Sequence, residues 1–393
     1  MAAAPRPALS CVKNMNPLTR LKEGAAWRWK SWQEARATRA PCADWQRDPD
    51  HCIAVFLPKA GHLRFMGGAL KLCQDRGLRI HYYVKQDRIG AYQERLQSPN
   101  VYAYPLCVEI PYRLMLTAAT HVRTSLYKHP KTRLAHIPHS MVSLHTTYGA
   151  GSFLGFDAIF CVGPYHLEEA HAIIDHNHQS GEAIPAGSEW IDYLAQEPAL
   201  DRPADRPCVL VAPTWGEISL LARYGRDLVD RLIERYDVIL RPHGLKFDII
   251  EPVVHEICES YANHPGFQYE LGVDSNSSLL KADLMVSDYS GIAFEFALAR
   301  RRPVVFLDGP RKASQIDWRS VMEQDGIEVR GRPWIGDVVP NVDEMMSSIE
   351  GMLKDPEIYK SRIDEATPKL WYHSGEAATV LAEHIQRLLR ESN

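Results

Sequence analysis

The sequence predicts an α/β protein built from two Rossmann-like domains that face a cleft, preceded by a basic helical extension. Short apolar runs alternate with amphipathic segments from Cys52 onward, as in parallel strands joined by crossover helices. The alternation restarts at Cys208, after a stretch at 198–207 that is rich in proline and charged residues. The 393 residues give room for two domains of ordinary size. We therefore predict an extension at 1–50, a first domain at 51–197 and a second domain at 205–393, with the last helix free to cross back.

The elements follow from the hydrophobic pattern in chain order. Uninterrupted apolar runs predict buried strands and helical spacing of apolar residues predicts helices. In the first domain, strands are predicted at 53–57, 78–84, 133–137 and 158–162, and helices at 65–74, 112–126 and 164–174. In the second domain, strands are predicted at 208–212, 238–240, 284–286 and 304–307, and helices at 225–235, 249–261, 292–299 and 376–389.

The N-terminal extension is basic and rich in tryptophan. Residues 13–39 carry seven Lys or Arg side chains against two Glu, and apolar residues including Trp29 and Trp32 recur at helical spacing. One interpretation is a helix on an anionic membrane surface. The other is a helix that packs on the main body, with its tryptophans in the core and its cations in solvent. The sequence leaves both open.

Composition excludes several classes of protein. The formal charge of −4 at pH 7 argues against a nucleic-acid binder. The eight cysteines are dispersed without a C-x-x-C pair, as expected for core residues in a reducing compartment. No apolar run is long enough to span a bilayer, and the N-terminus has no apolar signal core. We therefore predict a cytoplasmic protein, peripheral at the inner face of the cell membrane if the extension binds lipid.

A hydroxyl-rich turn joins a predicted buried strand to a predicted helix at residues 287–291. Backbone N–H groups at such a turn point outward at the positive end of the helix dipole, which predicts a phosphate site. Glu295, about one turn into the helix, would reach a ribose hydroxyl. The structural alternative is that small polar residues only cap the helix. The predicted substrate-binding residues here are Ser287, Asp288, Tyr289, Ser290, Gly291 and Glu295.

This region resembles the C-terminal signature of the CDP-glycerol glycerophosphotransferase family, the teichoic-acid primases and polymerases. The chain has Gly291 where many members have a second Ser. Weaker matches follow the family's order over roughly residues 130–390. The resemblance implies a GT-B fold, the two-domain architecture predicted above. The signature residues kept in this chain are Asp283, Asp288, Tyr289, Ser290, Glu295 and Pro303.

A second matching segment follows the predicted strand at 133–137. His139-Ser140 aligns with the family's His-Gly pair, which implies that His139 is the catalytic base. The loop departs from the family pattern, because Ser140 replaces Gly, the Trp is absent, and Leu144 and His145 stand where a Lys is expected. Without the resemblance, a histidine at a strand end is more simply a structural residue.

Two more turns carry polar residues after strands of the second domain. Arg241-Pro-His243-Gly resembles the family's strand ending in R-x-H, which implies that His243 is catalytic and approaches the pyrophosphate, and that Arg241 is a substrate-binding residue beside it. The alternative is an ordinary Pro-His-Gly turn. Pro213-Thr214-Trp215-Gly resembles the family's A-P-T loop, which implies that Thr214 contacts the nucleotide, whereas Trp215 would equally serve packing.

The resemblance implies transfer of an alditol phosphate, such as glycerol phosphate, from a CDP-activated donor to a hydroxyl of a cell-surface polymer or glycolipid acceptor, with release of CMP. A close alternative is a GT-B glycosyltransferase that uses a nucleotide sugar for capsule or O-antigen assembly. A sugar-nucleotide epimerase and a non-catalytic nucleotide-binding or scaffolding protein also remain open. The predicted core contains no Asp-x-Asp metal motif, dinucleotide fingerprint or P-loop, so no cofactor or metal is expected.

Overall fold

The computed structural model describes residues 40–149, 151–201, 206–244, 247–270, 275–311 and 317–391. The extension helix predicted at 13–39 lies outside these ranges, so its association with a membrane stays a prediction. Among the described helices, none combines the length and the apolar character needed to cross a bilayer.

The first sheet has seven parallel strands in the order β3-β2-β1-β4-β5-β6-β7. Alternate residues of β1 enter two different cores, Ile53 and Val55 on one face and Ala54 and Phe56 on the other. Both faces of the sheet are therefore covered, as a parallel sheet requires. Its strands are Cys52–Phe56 (β1), Arg79–Val84 (β2), Val101–Ala103 (β3), Leu114–Thr117 (β4), Arg133–His136 (β5), Ala158–Cys161 (β6) and Glu182–Pro185 (β7).

The second sheet has six parallel strands in the order β10-β9-β8-β11-β12-β13. The first six strands of each sheet thus share the strand order 3-2-1-4-5-6 of a Rossmann fold, which confirms the predicted α/β class. The strands are Cys208–Val211 (β8), Asp237–Leu240 (β9), Phe267–Tyr269 (β10), Leu284–Ser287 (β11), Val304–Leu307 (β12) and Gly336–Val339 (β13).

The α-helices of the described residues mostly lie between successive strands. In the first half they are Ala40–Arg47 (α1), Gly67–Asp75 (α2), Ile89–Leu96 (α3), Thr124–Tyr127 (α4), Leu144–Thr147 (α5), Pro164–His176 (α6) and Glu189–Gln196 (α7). In the second half they are Leu220–Tyr224 (α8), Asp227–Ile233 (α9), Glu251–Ser260 (α10), Ser277–Lys281 (α11), Gly291–Arg300 (α12), Ile327–Arg330 (α13), Arg332–Ile335 (α14), Val342–Lys354 (α15), Pro356–Leu370 (α16) and Ala377–Arg390 (α17).

The helix predicted at 112–126 is wrong. That stretch contains the central strand β4 and the short helix α4. Leu114, Met115 and Leu116 are fully buried among neighbouring strands. Leu and Met favour helices, but a four-residue apolar run does not distinguish a buried strand from part of a helix.

The final helix α17 returns to the first half of the molecule. Its apolar side chains Leu381, Ile385 and Leu388 belong to the same core as Ile53 and Val55 of β1. The first core is therefore closed by residues more than 300 positions away in the chain.

Candidate functional site

Each sheet has a crevice where the strand order reverses, between β1 and β4 in the first sheet and between β8 and β11 in the second. Ligands of open α/β sheets bind beyond the carboxyl ends of strands at such points. The first crevice receives the loop at 57–66 that follows β1, and the second receives the turn at 288–290 that follows β11. The predicted phosphate turn therefore lies at the expected edge of its sheet.

Asp288 holds the phosphate turn and a neighbouring loop together. Its carboxylate is fully buried and accepts hydrogen bonds from the backbone N–H groups of Thr214 (2.7 Å), Leu220 (2.9 Å) and Tyr289 (2.7 Å). The side chain thus fixes the loop after β8 against the turn after β11. In this structure Asp288 positions the turn, and Thr214 is brought beside it.

The hydroxyls of Ser287 and Tyr289 are also engaged within the protein. The Ser287 hydroxyl donates to the carbonyl of Ala212 at 2.7 Å. The Tyr289 hydroxyl lies 2.7 Å from the carbonyl of Gly309 and 3.0 Å from Asp308 Oδ1. Both side chains are buried, so the arrangement favours a role in holding the loops around the turn.

Ser290 and Gly291 begin helix α12 and leave its N-terminus suited to an anion. Ser290 is the N-cap, and its side chain makes no capping hydrogen bond. The first N–H groups of a ten-residue helix follow it. Of the predicted turn residues, these two lie at the helix N-terminus, and phosphate binding there stays a prediction.

Gly291 is also where the two domains touch. A Cβ atom at this position would overlap the Ser140 hydroxyl and would lie 3.1 Å from Val142 Cγ1. Ser140 follows the predicted base His139. The chain thus has Ser140 where the family pattern has Gly, and Gly291 where that pattern has Ser. Because the two positions are in contact, the larger side chain at one compensates for the smaller side chain at the other.

Replacing Gly291 with Ser should therefore weaken activity by at least about tenfold, because the new side chain displaces the loop that carries His139. Adding Ser140→Gly should restore most of the lost activity, because removal of the Ser140 side chain makes room for the new side chain at position 291. A double-mutant cycle on turnover measures the coupling. Additive losses in the double variant would contradict the proposed contact.

Glu295 lies at the domain boundary with a protein partner already in place. Its Oε2 accepts a hydrogen bond from Trp190 Nε1 at 2.9 Å, and the side chain is buried. Burial raises the pKa of Glu295 to about 7, against the opposing effect of this hydrogen bond and of Arg64 and Arg241. The Arg64 guanidinium stacks 4.6 Å from the Trp190 ring. A ribose would compete with Trp190 for the carboxylate.

His139 lies in a cluster of aromatic rings at the first crevice. Its ring stacks on His62 with centroids 5.2 Å apart, and His136 lies 6.5 Å away. Burial lowers the pKa of His139 to about 4, with the charge of Lys59 acting in the same direction. Burial lowers the pKa of His62 to about 3. Both imidazoles are therefore neutral at neutral pH.

Sequence reasoning missed His62. It lies six residues beyond the end of β1, in the loop where the strand-end rule directs attention. The backbone N–H of His62 donates to the carbonyl of Lys59 at 3.2 Å, so His62 and Lys59 belong to one turn. The signal was present as Pro-Lys-Ala-Gly-His directly after a buried strand.

Arg241 is held by its own domain. Its guanidinium forms an ion pair with Glu270 and donates to the Ser275 carbonyl (3.0 Å) and the Ser278 hydroxyl (2.9 Å). His243, two residues later, is exposed. Leu240 pairs with Val211 of β8, which pairs with Val286 of β11, so the His243 loop lies at the same sheet edge as the phosphate turn. Two strand spacings separate them, about 10 Å.

A hydrogen-bonded contact between the domains borders the His139 loop. Glu328 accepts hydrogen bonds from the Ser143 N–H (3.0 Å) and from the hydroxyls of Thr146 (3.0 Å) and Thr147 (2.8 Å). His145 Nε2 lies 2.8 Å from the carbonyl of Gln324. The segment that lacks the expected Lys is thus fixed to the second domain. In the described ranges, no three His, Cys, Asp or Glu side chains are grouped for metal binding.

Part of the chain is similar in sequence to a curated protein. A curated relative, the teichoic acid poly(glycerol phosphate) polymerase of Bacillus subtilis (strain 168), is 32% identical over 120 residues. That match covers 27% of this chain and only 14% of the relative.

Two solved structures show the GT-B fold predicted from the sequence. The wall teichoic acid polymerase TagF soaked with CDPG superposes with a TM-score of 0.55 at 13% identity, covering 93% of this chain and 98% of that one. The UDP-GlcNAc 2-epimerase of Methanocaldococcus jannaschii, in complex with UDP-GlcNAc and UDP, superposes with a TM-score of 0.56 at 12% identity. This match covers 86% of this chain and 99% of the epimerase chain.

A family model described as CDP-Glycerol:Poly(glycerophosphate) glycerophosphotransferase matches residues 189–386, about half of the chain. The matched region runs from helix α7 through the phosphate turn and into α17. The chain belongs to the CDP-glycerol glycerophosphotransferase family.

Proposed function

We propose that this protein transfers an alditol phosphate, glycerol phosphate or a close analogue, from a CDP-activated donor to a hydroxyl of a cell-surface polymer or glycolipid. The observation that carries the proposal is the contact between Ser140 and Gly291. It brings the loop that carries the neutral imidazole of His139 to the N-terminus of helix α12. This contact supports a candidate proton acceptor and a candidate anion site at one boundary between two Rossmann-like domains.

The reaction would proceed in one displacement. The acceptor oxygen attacks the β-phosphorus of the donor, forming a new P–O bond, while His139 takes the hydroxyl proton. The bond between the β-phosphorus and the bridging oxygen breaks, and CMP leaves with that oxygen. The N–H groups at the start of α12 stabilise the departing phosphate, and His243 at the same sheet edge adds a donor. No metal or cofactor is part of this proposal.

Lys59 tunes the base in this mechanism. Its positive charge disfavours protonated His139 and lowers the pKa of that ring. A phosphate group bound near Lys59 would offset the charge and raise the pKa of His139, so the substrate itself would strengthen the base.

Replacing Lys59 with Gln should therefore raise the pKa of His139. Because the mechanism needs the unprotonated ring, the acid limb of the profile of kcat/KM against pH should move to higher pH. Lys85→Gln, an exposed lysine after β2, is the matched control and should leave the limb in place. An unmoved acid limb in Lys59→Gln would show that Lys59 does not act on the base.

A donor panel tests the function. The purified protein is incubated with CDP-glycerol, CDP-ribitol and UDP-GlcNAc, each with and without a glycerol phosphate oligomer as acceptor, and nucleotide release is measured. We expect acceptor-dependent CMP release from a CDP-alditol. UDP release from UDP-GlcNAc would indicate a glycosyltransferase, whereas an acceptor-independent change of the sugar would indicate an epimerase. Either result without CMP release would overturn the proposal.

A further inference from the structure

Arg332 is a buried cation with two N–H donor atoms that have no acceptor. Arg332 is 4% exposed, and its Nη2 donates to Asp308 Oδ1 at 2.9 Å. The guanidinium stacks 4.4 Å from the ring of Tyr289 and 5.8 Å from that of Phe306. Its Nε and Nη1 have no hydrogen-bond partner. Buried charged groups are normally paired and fully hydrogen-bonded, so two idle donors point to a missing ligand.

Arg223, on helix α8, lies against the loop at Asp308 and Gly309 that follows β12. A Cβ atom at Gly309 would overlap the Arg223 guanidinium, so the cation packs against the backbone of that glycine. Its Nη2 lies 3.2 Å from the Tyr224 hydroxyl, while its Nη1 is buried without a hydrogen-bond partner. Two arginines thus converge on Asp308 and Gly309 with donors left over.

This loop adjoins the phosphate turn. Strands β11 and β12 are neighbours, with Ser287 opposite Phe306, so Asp308 and Gly309 follow β12 at the edge where Tyr289 follows β11. The Tyr289 hydroxyl contacts both of them. The arginine pair therefore lies beside the start of α12.

We propose that Arg332 and Arg223 form a second anion site next to the α12 N-terminus, and that it takes a phosphate group of a substrate. The inference rests on the proposed function and extends it. Arg332 pairs with one carboxylate, Asp308, which is half exposed, and Arg223 adds a second cation beside Gly309. Guanidinium groups suit phosphate because they donate several N–H bonds in one plane. The phosphate belongs either to the donor diphosphate or to the terminal phosphate of the acceptor.

Calorimetric titration separates these sources. CDP serves as the probe for the donor, and glycerol 3-phosphate serves as the probe for the acceptor. Arg223→Gln should weaken one of them by about 10- to 100-fold, as expected for the loss of a charge-assisted hydrogen bond. Arg231→Gln is the control, since Arg231 is an exposed arginine of the adjacent helix α9 that pairs with Asp343. Weakened CDP binding assigns the site to the donor, and weakened glycerol 3-phosphate binding alone assigns it to the acceptor.

Arg332→Lys keeps the charge but loses the planar donors, and should weaken the same probe. Thermal unfolding checks that it is folded, and Arg223→Gln carries the test if it is not. The dependence of affinity on salt should also fall in Arg223→Gln, because one cation fewer meets the phosphate. Wild-type affinity for both probes in Arg223→Gln would overturn the inference and leave the proposed function standing. Failure of the wild-type protein to bind either probe would overturn the proposed function, and the inference with it.

Discussion

His139→Ala is expected to lower turnover by about 100-fold or more, which is the usual size of the effect when a general base is lost. Nucleotide affinity should stay within about twofold of wild type, because the described contacts of the ring are with His62, His136 and neighbouring aromatic residues. Single-turnover release of CMP from CDP-glycerol in the presence of acceptor, together with CDP titration, separates the two quantities.

His171→Ala is the matched control for this prediction. His171 is an exposed histidine on helix α6 of the same domain, and its removal should leave turnover unchanged. If His139→Ala retains near-normal turnover, the ring is a structural member of the aromatic cluster and the base must lie elsewhere.

Asp288→Ala should lower the free energy of unfolding by at least about 3 kcal/mol. The substitution leaves the N–H groups of Thr214, Leu220 and Tyr289 without their buried acceptor, and hydrogen bonds to charged groups contribute about 1.5–3 kcal/mol each. The effect should appear as a lower midpoint of urea unfolding, followed by circular dichroism. Nucleotide binding should be lost as well, because both loops at the crevice are released.

Asp288→Asn tests the same hydrogen bonds more gently. The N–H groups of Thr214 and Tyr289 donate to Oδ1, whereas that of Leu220 donates to Oδ2. If the amide oxygen of Asn takes the place of Oδ1, its NH₂ group faces the Leu220 N–H, and only that hydrogen bond is lost. The loss of stability should therefore be smaller than with Ala. Asp87→Ala, at an exposed carboxylate, should change the free energy of unfolding by no more than about 0.5 kcal/mol. Equal stability of Asp288→Ala and wild type would refute the positioning role.

The hydrophobic pattern predicts the region around the phosphate turn closely. The predicted strand at 284–286 and helix at 292–299 correspond to Leu284–Ser287 and Gly291–Arg300. This accuracy has a physical cause, since β11 is buried on both faces and the polar turn interrupts it sharply. The short strands β3, β7, β10 and β13 were not predicted, because three or four residues at or near a sheet edge carry little periodicity.

Side-chain roles at the site were harder to predict than positions. The sequence places polar residues after strands but does not show which of them bond the protein itself. Asp288 and Tyr289 acquire their partners from distant segments, at Thr214, Leu220 and Asp308. Arg332 and Arg223 lie in segments without a strand-end signature, and only the folded chain brings Arg332 to Asp308 and Arg223 to Gly309. Contacts between residues so far apart in the sequence follow from the tertiary fold and not from the local pattern.

The return of α17 to the first sheet has a consequence for how the protein is made. During synthesis the ribosome releases the strands of the first half long before Leu381, Ile385 and Leu388 exist. Part of the apolar face of the first sheet therefore stays uncovered until residues 381–388 have emerged. Cleavage at 198–207 would separate the first sheet from the helix α17 that covers part of its core.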